Sequence, residues 1–408
     1  MQLHKVLIKS VFILLKQILA EQQYADKAIE KLFKANPIFG ARDRAFIAET
    51  VYDIIRYFRL YKYCSQTDDD FWKMTACYFL IKGIDLPPWM DLSQQERETM
   101  LSRYAEGIKI RVIRESIPDW MDSMGEREIP ELWDEEIKAL NTQAQVVLRV
   151  NTLKTTREKL KKLLELEGIF CNISDEHLDA LILTKRKNVF SSPLFKSGHF
   201  EIQDASSQQV APFLEVQPGM RVIDACAGGG GKALHLASMM NNKGSLICLD
   251  TELWKLDELK KRSKRNGVNI IETRLIENNK TIKRLYNSAD RLLLDVPCSG
   301  MGVLRRNPDA KWKLNKEFMD RVKLMQREIL SQYSKMIKQD GQLVYATCSI
   351  FPSENQQQVQ LFLETNQQFK LDAEQIILPS QSGFDGFYMA RLKKITEKNE
   401  FIIDGSNP

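Results

Sequence analysis

The sequence predicts an α/β protein built around a doubly wound parallel sheet, preceded by a small α+β domain and an all-helical domain. Three observations support this fold class. From residue 219 onward, short β-branched segments alternate with amphipathic helical segments, as in doubly wound sheets. The run VIDACAGGGGKA (222–233) joins a strand to a helix through four glycines. In the first 115 residues, apolar side chains recur at three- and four-residue spacing, which indicates helices.

The composition is that of an ordinary globular protein, with 43% hydrophobic and 28% charged residues among 408. This length predicts two or three domains. Its 59 lysines and arginines exceed its 54 acidic residues, and the net charge of +5 is compatible with nucleic-acid binding without demonstrating it.

Cysteines, histidines and the N-terminus bear on the cellular environment. The seven cysteines are scattered without a C-x-x-C pair, and the four histidines lie apart from them, so we expect no metal site and a reducing compartment. Lysines interrupt the apolar N-terminus, which argues against a signal peptide or a membrane span. We therefore expect a cytoplasmic protein.

Four segments of the chain differ in pattern: a helical domain at 1–115, a small α+β domain at 116–205, the sheet domain at 206–395 and a tail at 396–408. Predicted elements before the sheet domain are helices at 6–19, Asp43–Tyr63 and Thr155–Glu167, and strands at Val146–Val150, Ile169–Ile173 and Ala180–Thr184. Predicted elements of the sheet domain are strands at Arg221–Asp224, Ser245–Asp250, Glu272–Ile276, Arg291–Asp295 and Gln342–Ala346, a helix at Lys316–Lys338, and a closing antiparallel strand pair at Phe369–Ile376 and Gly386–Lys394.

The glycine run is predicted to be a nucleotide cradle, because glycines let the backbone approach a ligand and a helix start offers free N–H groups. A phosphate-binding P-loop would need glycine at Cys226 and Ser or Thr at Ala233, so it is disfavoured. A dinucleotide fits, since Gly228, Gly230 and Ala233 satisfy G-x-G-x-x-G/A. S-adenosylmethionine also fits, and Asp250 at the end of the next strand would bind the ribose of either ligand. A glycine-rich loop that binds nothing is the remaining alternative.

Two cysteines follow the ends of predicted strands, where doubly wound sheets bind ligands. Cys298 comes three residues after Asp295, and Cys348 follows the strand Gln342–Ala346. A dehydrogenase gives no reason for this pair, and either cysteine alone is more often structural. Methyl transfer to C5 of a pyrimidine does give a reason, because a thiolate that adds to C6 turns C5 into a nucleophile. Asp295 could hydrogen-bond the N3/N4 edge of the ring, and the second thiol could help remove the C5 proton. This chemistry does not say which cysteine has which role.

The motifs DACAGGGGK, DVPCSGMGVLRRNPDAKW and YATCSIFPSEN together resemble the RsmB/Sun-type RNA (cytosine-5) methyltransferases, over residues 115–395. The resemblance implies a Rossmann-like class I S-adenosylmethionine methyltransferase domain, with a ferredoxin-like RNA-binding domain and a NusB-like RNA-binding domain before it. It also implies that Cys348 is the nucleophile and that Cys298 assists release of the product. The cofactor site that it implies is lined by Cys226, Ala227, Gly228, Gly229, Gly230, Gly231, Lys232, Asp250, Glu277 and Asp295.

Two features depart from the family pattern. The family's usual loop is CAAPGGK, and here Gly228–Gly229 replace Ala–Pro, which predicts a more flexible loop. The acid expected after the third strand of the sheet domain has only a near match, at Glu277–Asn278.

Basic and aromatic residues suggest an RNA surface. Residues suited to phosphate contacts and base stacking are Lys154, Arg305, Arg306, Lys311 and Trp312, with a solvated loop as the alternative. We expect a monomer that methylates cytosine C5 in 16S (small-subunit) ribosomal RNA and binds no metal and no membrane. A tRNA is the alternative substrate. An NAD-dependent dehydrogenase and a non-catalytic RNA-binding protein are the alternatives from other classes.

Overall fold

A computed structural model describes residues 4–90 and 92–395, so the predicted tail at 396–408 lies outside the described residues. The chain divides into two compact units. The first unit comprises Met1–Gln143 and Val303–Met319, and the second comprises Ala144–Gly302 and the chain from Asp320 onward. In this division, residues 116–143 and the segment Val303–Met319 belong to the first unit.

The first unit contains helices and no strand among its described residues, which confirms the all-helical prediction. One cluster of its core includes Ile8, Ile47 and Phe79. The predicted helix Asp43–Tyr63 is two helices, since the backbone leaves helical geometry at Tyr57 (φ −113°, ψ 31°). The helices are Lys5–Leu15 (continued by a wider turn at Lys16–Ala20), Ala25–Ala35, Ala41–Arg56, Phe58–Ser65, Phe71–Ile81, Gln94–Gly107, Arg111–Arg114, Asp119–Glu128, Trp133–Leu140 and the short Pro308–Trp312.

Among its described residues, the second unit contains two sheets. The strands of the smaller sheet are β1 (Val147–Val150), β2 (Cys171–Ile173), β3 (Ala180–Leu183) and β4 (Phe200–Ile202), and they pair antiparallel in the order β2-β3-β1-β4. Helix Arg157–Leu166 packs against this sheet through Leu160 and Leu164, which share a core with Phe200. The ferredoxin-like α+β prediction is confirmed, and β4 is a strand that was not predicted.

In the described residues, the strands of the larger sheet are β5 (Arg221–Asp224), β6 (Ser245–Asp250), β7 (Ile271–Leu275), β8 (Ala289–Asp295), β9 (Ile337–Thr347), β10 (Phe369–Ile377) and β11 (Phe387–Lys394). These seven strands lie side by side in the order β10-β11-β9-β8-β5-β6-β7. Strands β5 to β9 pair in parallel, and β10 and β11 form the predicted antiparallel closure. The predicted helix Lys316–Lys338 ends earlier, at Tyr333, because Ile337 already pairs with Ala289 of β8.

Helices cover the larger sheet and complete the doubly wound prediction. They are Gly231–Met239, Leu253–Asn266, Asn279–Lys283, Lys316–Tyr333 and Gln356–Thr365, with the short helices Pro193–Lys196, Ala205–Gln208, Val210–Phe213 and Pro379–Ser382 elsewhere in the chain. The strand order reverses beside β5, where β6 lies on one side and β8 on the other. A crevice at the carboxyl ends of these strands is where such sheets bind ligands. No helix in the described part of the chain is long and apolar enough to cross a membrane.

Candidate active site

The glycine loop follows β5 and turns sharply into helix Gly231–Met239. Gly228 (φ 53°) and Gly230 (φ 85°) adopt left-handed backbone. At Gly230 a Cβ atom would also lie 2.1 Å from Cδ1 of Leu259, so only glycine fits. The backbone N–H of Gly228 donates to Oδ2 of Asp250 over 2.9 Å, which fixes the loop beside the end of β6.

Two arginines hold the carbonyl groups of this loop. Arg262 donates to the carbonyl of Gly229 over 2.6 Å, and Arg149 of β1 donates to the carbonyl of Gly231. Arg262 also pairs with the buried carboxylate of Glu201 at 2.9 Å. Helix Leu253–Asn266 therefore supports the glycine loop through Arg262. The loop that lacks the family's proline is held by contacts that the motif alone did not reveal.

Three acidic side chains at the carboxyl ends of β5, β6 and β7 differ in their surroundings. Asp250 accepts the N–H of Gly228 and, over 2.8 Å, the N–H of Glu252, which fixes the orientation of its carboxylate. Asp224 is 1% exposed, and neither of its oxygens has a hydrogen-bond partner among the residues described. Glu277 is exposed, two residues beyond the end of β7. Asp224 was not part of the predicted site, and its signal in the sequence is an acid directly before the glycine loop.

A buried carboxyl without partners normally marks a missing ligand or a neutral acid. Burial, followed by the negative charge of Asp295, raises the pKa of Asp224 to about 7. Cationic groups of a ligand would stabilise its ionised form. The neighbouring Cys226 is unreactive by comparison, since burial raises the pKa of its thiol well above the usual value.

The two predicted cysteines meet at the ends of β8 and β9. Their Sγ atoms lie 3.0 Å apart, and the backbone N–H of Cys348 points at Sγ of Cys298 over 3.3 Å. Both side chains are half-buried. The hydrogen bond with Cys348, together with burial, raises the pKa of Cys298 well above its usual value. The two thiols are therefore held in one place, with Cys298 kept as the protonated member.

A charged pair lies beside the cysteines. The ammonium of Lys232 donates to Oδ2 of Asp295 over 2.6 Å and lies 4.9 Å from the ring centre of Phe387. Burial would lower the pKa of Lys232, but the carboxylate of Asp295 and the charges of Cys348 and Asp224 outweigh it and raise that pKa. Lys232 thus carries its positive charge into the crevice.

A close crossing of three loops fixes the position of Cys348. The N–H of Gly302 donates to the carbonyl of Cys348, and the N–H of Gly386 donates to the carbonyl of Gly302, both over 2.8 Å. A Cβ atom on Gly302 would lie 2.2 Å from the carbonyl oxygen of Gly386. Glycine at position 302 is therefore required for the loop after Cys298 to approach the loop after Cys348 so closely.

The structure corrects the prediction of an RNA platform after Cys298. Lys311 is 1% exposed, and its ammonium donates to the carbonyl of Arg56 (2.7 Å) and to Oδ1 of Asn141 (2.9 Å). Burial lowers its pKa well below the usual value. Trp312 donates its indole N–H to the carbonyl of Ile55 over 2.8 Å. These side chains complete the packing of the first unit rather than offering a surface to RNA.

The other three predicted RNA contacts have varied surroundings. Arg305 is buried and donates to Oγ1 of Thr142 over 2.6 Å, so it too is not an exposed phosphate contact. Arg306 is half-buried. Lys154 is exposed, but its ammonium donates to the carbonyls of Ser197 and Arg265, each over 2.7 Å. In the described residues, no group of three or more His, Cys, Asp or Glu side chains could hold a metal ion.

Comparison with known proteins decides between the nucleotide ligands. The family model for the 16S rRNA methyltransferase RsmB/F matches residues 211–393, and a model for the RsmF/B-like ferredoxin-like domain matches residues 117–190. The ribosomal RNA small subunit methyltransferase B of Proteus mirabilis is 33% identical over 308 residues, which cover 74% of this chain and 70% of that protein. The chain belongs to the RsmB/F family of methyltransferases. It is an enzyme whose cofactor is S-adenosylmethionine, and the dehydrogenase alternative is excluded.

Further comparisons agree with this family. The probable ribosomal RNA small subunit methyltransferase B of a Synechocystis strain is 28% identical over 440 residues, covering 94% of this RsmB/F-family chain and 98% of that protein. Among solved structures, that of PH0851 superposes with a TM-score of 0.82 at 22% identity, over 97% of this chain and 100% of that one. A methyltransferase homologue from Pyrococcus horikoshii gives a TM-score of 0.62 at 24% identity, over 70% and 97%. At these identities the superpositions show the fold.

The site fits the cofactor of the RsmB/F family on structural grounds. Gly228 has no atom within 4 Å of the position that a Cβ atom would take, Asp250 presents an oriented carboxylate, and Asp224 offers a buried carboxyl whose oxygens have no hydrogen-bond partner among the described residues. These three features suit, respectively, close backbone approach, ribose hydroxyls and a cationic group.

Proposed function

We propose that the protein methylates C5 of a cytosine in small-subunit ribosomal RNA, with Cys348 as the covalent nucleophile. One observation carries the proposal: Sγ of Cys348 lies 3.0 Å from Sγ of Cys298 at the carboxyl ends of neighbouring parallel strands, beside the Lys232–Asp295 pair. The curated relatives are named as small-subunit ribosomal RNA methyltransferases, which favours this RNA over the alternative, tRNA. The predicted cofactor residues from Cys226 to Lys232, with Asp250, Glu277 and Asp295, line the crevice in this proposal.

The thiolate of Cys348 adds to C6 of the cytosine, forming an S–C6 bond and moving electron density to C5. Bound S-adenosylmethionine supplies the electrophilic methyl group. Asp295 hydrogen-bonds the N3/N4 edge of the base and orients the ring for the addition. The positive charge of Lys232, beside Asp295, offsets the negative charge that the addition places on the ring.

Release requires the C5 proton to leave and the S–C6 bond to break. In the free protein, the hydrogen bond with Cys348 and the negative charge there raise the pKa of Cys298. Once Cys348 is bonded to carbon, that charge is gone, and Cys298 ionises more readily. Cys298 then accepts the C5 proton, and the electron pair of the C5–H bond forms the C5–C6 double bond as the Cys348 thiolate departs.

The test is transfer of a tritiated methyl group to transcripts of small-subunit ribosomal RNA, with tRNA transcripts as the comparison. We expect incorporation into the ribosomal RNA and protection of one cytosine in bisulfite sequencing. Transfer to tRNA alone would move the assignment to the alternative substrate. RNA binding without any transfer would favour the non-catalytic RNA-binding protein.

The acid at Asp224 predicts a pH dependence of cofactor binding. Because its pKa is about 7, this carboxyl is half protonated at neutral pH, and a bound cation favours the charged form. We expect the affinity for S-adenosylmethionine to rise from about pH 6 to about pH 8, by up to ~10-fold per pH unit below the pKa. Isothermal titration at several pH values measures this.

Two variants separate Asp224 from other acids. Asp224→Asn removes the titrating group. At high pH this variant should bind S-adenosylmethionine more weakly than the wild type, and its affinity should not rise with pH. Asp290→Asn, at the opposite end of the sheet where Asp290 pairs with Lys338 at 2.7 Å, keeps the slope. A slope that persists in Asp224→Asn would contradict the assignment.

A further inference from the structure

We propose that Glu354 is a positioning residue whose buried carboxylate ties together the loops that carry Cys298 and Cys348, and so sets the distance between the two sulfurs. The inference rests on the proposed function, since that distance matters only if both cysteines act on one base. Glu354 lies in the motif YATCSIFPSEN and is not one of the predicted site residues. It acts through the loops rather than on the substrate.

The carboxylate of Glu354 is 0% exposed and accepts four hydrogen bonds. Oε2 accepts from the backbone N–H of Ser299 (2.8 Å) and from Nε2 of Gln326 (3.0 Å). Oε1 accepts from the hydroxyls of Ser299 (2.5 Å) and Ser349 (2.7 Å). Ser299 directly follows Cys298, and Ser349 directly follows Cys348. One side chain therefore joins the immediate neighbours of both cysteines.

This arrangement suits a carboxylate. A buried charge is costly unless it is hydrogen-bonded, and four donors meet this need. A glutamine of the same shape would turn an NH₂ group toward the two serine hydroxyls, which would have to change from donors to acceptors. The bonds to both loops would lose the strength that the charge of the carboxylate gives them, and the loops would be held less tightly.

The surrounding contacts hold Glu354 itself in place. Its backbone carbonyl accepts the hydroxyl of Tyr345 over 2.7 Å. The next residue, Asn355, accepts the hydroxyl of Thr347 (2.5 Å) and donates to the carbonyl of Ser349 (3.0 Å). The residues on both sides of Cys348 are therefore bonded to the Glu354–Asn355 pair. Side chains that are locked in this way transmit small displacements to the atoms that they position.

The charge of Glu354 also distinguishes the two cysteines. The hydrogen bond with Cys348, burial and the charge of Cys348 raise the pKa of Cys298 most. The charge of Glu354 raises this pKa further. It thus helps Cys298 to keep its proton while Cys348 attacks. Two chemically identical side chains receive different surroundings from one carboxylate.

The test compares Glu354→Gln with Glu364→Gln, an exposed glutamate in the following helix Gln356–Thr365. We expect Glu354→Gln to lower kcat by about 10- to 100-fold, because a displacement near 1 Å has effects of that size. The KM for RNA and the Kd for S-adenosylmethionine should stay within about threefold, since the carboxylate of Glu354 is fully buried between the loops. Glu364→Gln should match the wild type. Glu354→Asp keeps the charge and should recover part of the lost kcat.

Two serine variants keep the inference testable if Glu354→Gln misfolds. Ser299→Ala and Ser349→Ala each remove one hydroxyl donor, and each should lower kcat less than Glu354→Gln does. In the Glu354→Gln background, Ser349→Ala should add little, because both belong to one network. If Glu354→Gln does not fold, the serine variants decide. An unchanged kcat per folded molecule, in Glu354→Gln or in both serine variants, overturns the inference.

Formation of a covalent adduct with modified RNA tests the inference and the proposed function separately. RNA containing 5-fluorocytosine cannot lose a proton at C5, so a covalent nucleophile stays attached to it. Absence of this adduct with the wild-type protein rejects the proposed function and the inference with it. An adduct that forms as fast in Glu354→Gln as in the wild type rejects the inference alone. We expect a wild-type adduct and a slower one in Glu354→Gln.

Discussion

Replacing Cys348 by alanine should abolish methyl transfer to RNA. Without the sulfur, no bond forms to C6, and C5 of cytosine stays a poor nucleophile. We expect incorporation of tritiated methyl groups to fall by at least about 10⁴-fold, in line with the removal of other covalent nucleophiles. Binding of S-adenosylmethionine should persist, because the glycine loop and Asp250 are untouched.

Cys171→Ala is the matched control for this prediction. Cys171 is buried in the small sheet, and burial raises the pKa of its thiol, so it is not a reactive cysteine. This variant should keep the wild-type rate at a temperature at which it is folded. Substantial turnover by Cys348→Ala would reject the assignment of the nucleophile.

Replacing Cys298 by alanine should instead trap the enzyme on its product. Cys348 still adds to C6 and the methyl group still transfers, but the base that removes the C5 proton is absent. We expect a protein–RNA adduct that survives denaturing electrophoresis and carries the labelled methyl group. Multiple turnover should be lost.

The double variant Cys298→Ala/Cys348→Ala gives the decisive comparison. It has no nucleophile, so the adduct should disappear. If the single variant Cys298→Ala formed no adduct and turned over normally, the release role would fail. If the adduct persisted in the double variant, the bond would involve a residue other than Cys348.

The sequence predicts the larger sheet well, because most of its strands are short apolar runs separated by helical segments or turns. The strands β5 and β6 have the predicted bounds, and the antiparallel closure at β10 and β11 is within a residue or two of them. The prediction for β9 starts five residues late. Pairing of Ile337 with Ala289 across the sheet, a long-range contact, extends that strand beyond what local pattern shows.

The candidate site was predictable where a motif carries its own chemistry and not where it depends on distant partners. The cysteine pair follows from two motifs that end neighbouring strands. The contacts of Arg262 with Gly229 and Glu201 join residues more than 30 positions apart, and no local pattern announces them. For Lys311 and Trp312 the sequence predicted RNA contacts, but these side chains pack within the first unit. A basic residue beside an aromatic one does not show in the sequence whether the pair faces RNA or a core.

The return of Val303–Met319 to the first unit has a consequence for how the protein is made. Translation completes the N-terminal helices long before it reaches Lys311 and Trp312, which bond to Asn141 and to the carbonyl of Ile55. While residues 144–302 are being synthesised, the helices lack these two donors. The first unit therefore reaches its final packing only after residues 303–319 have been synthesised.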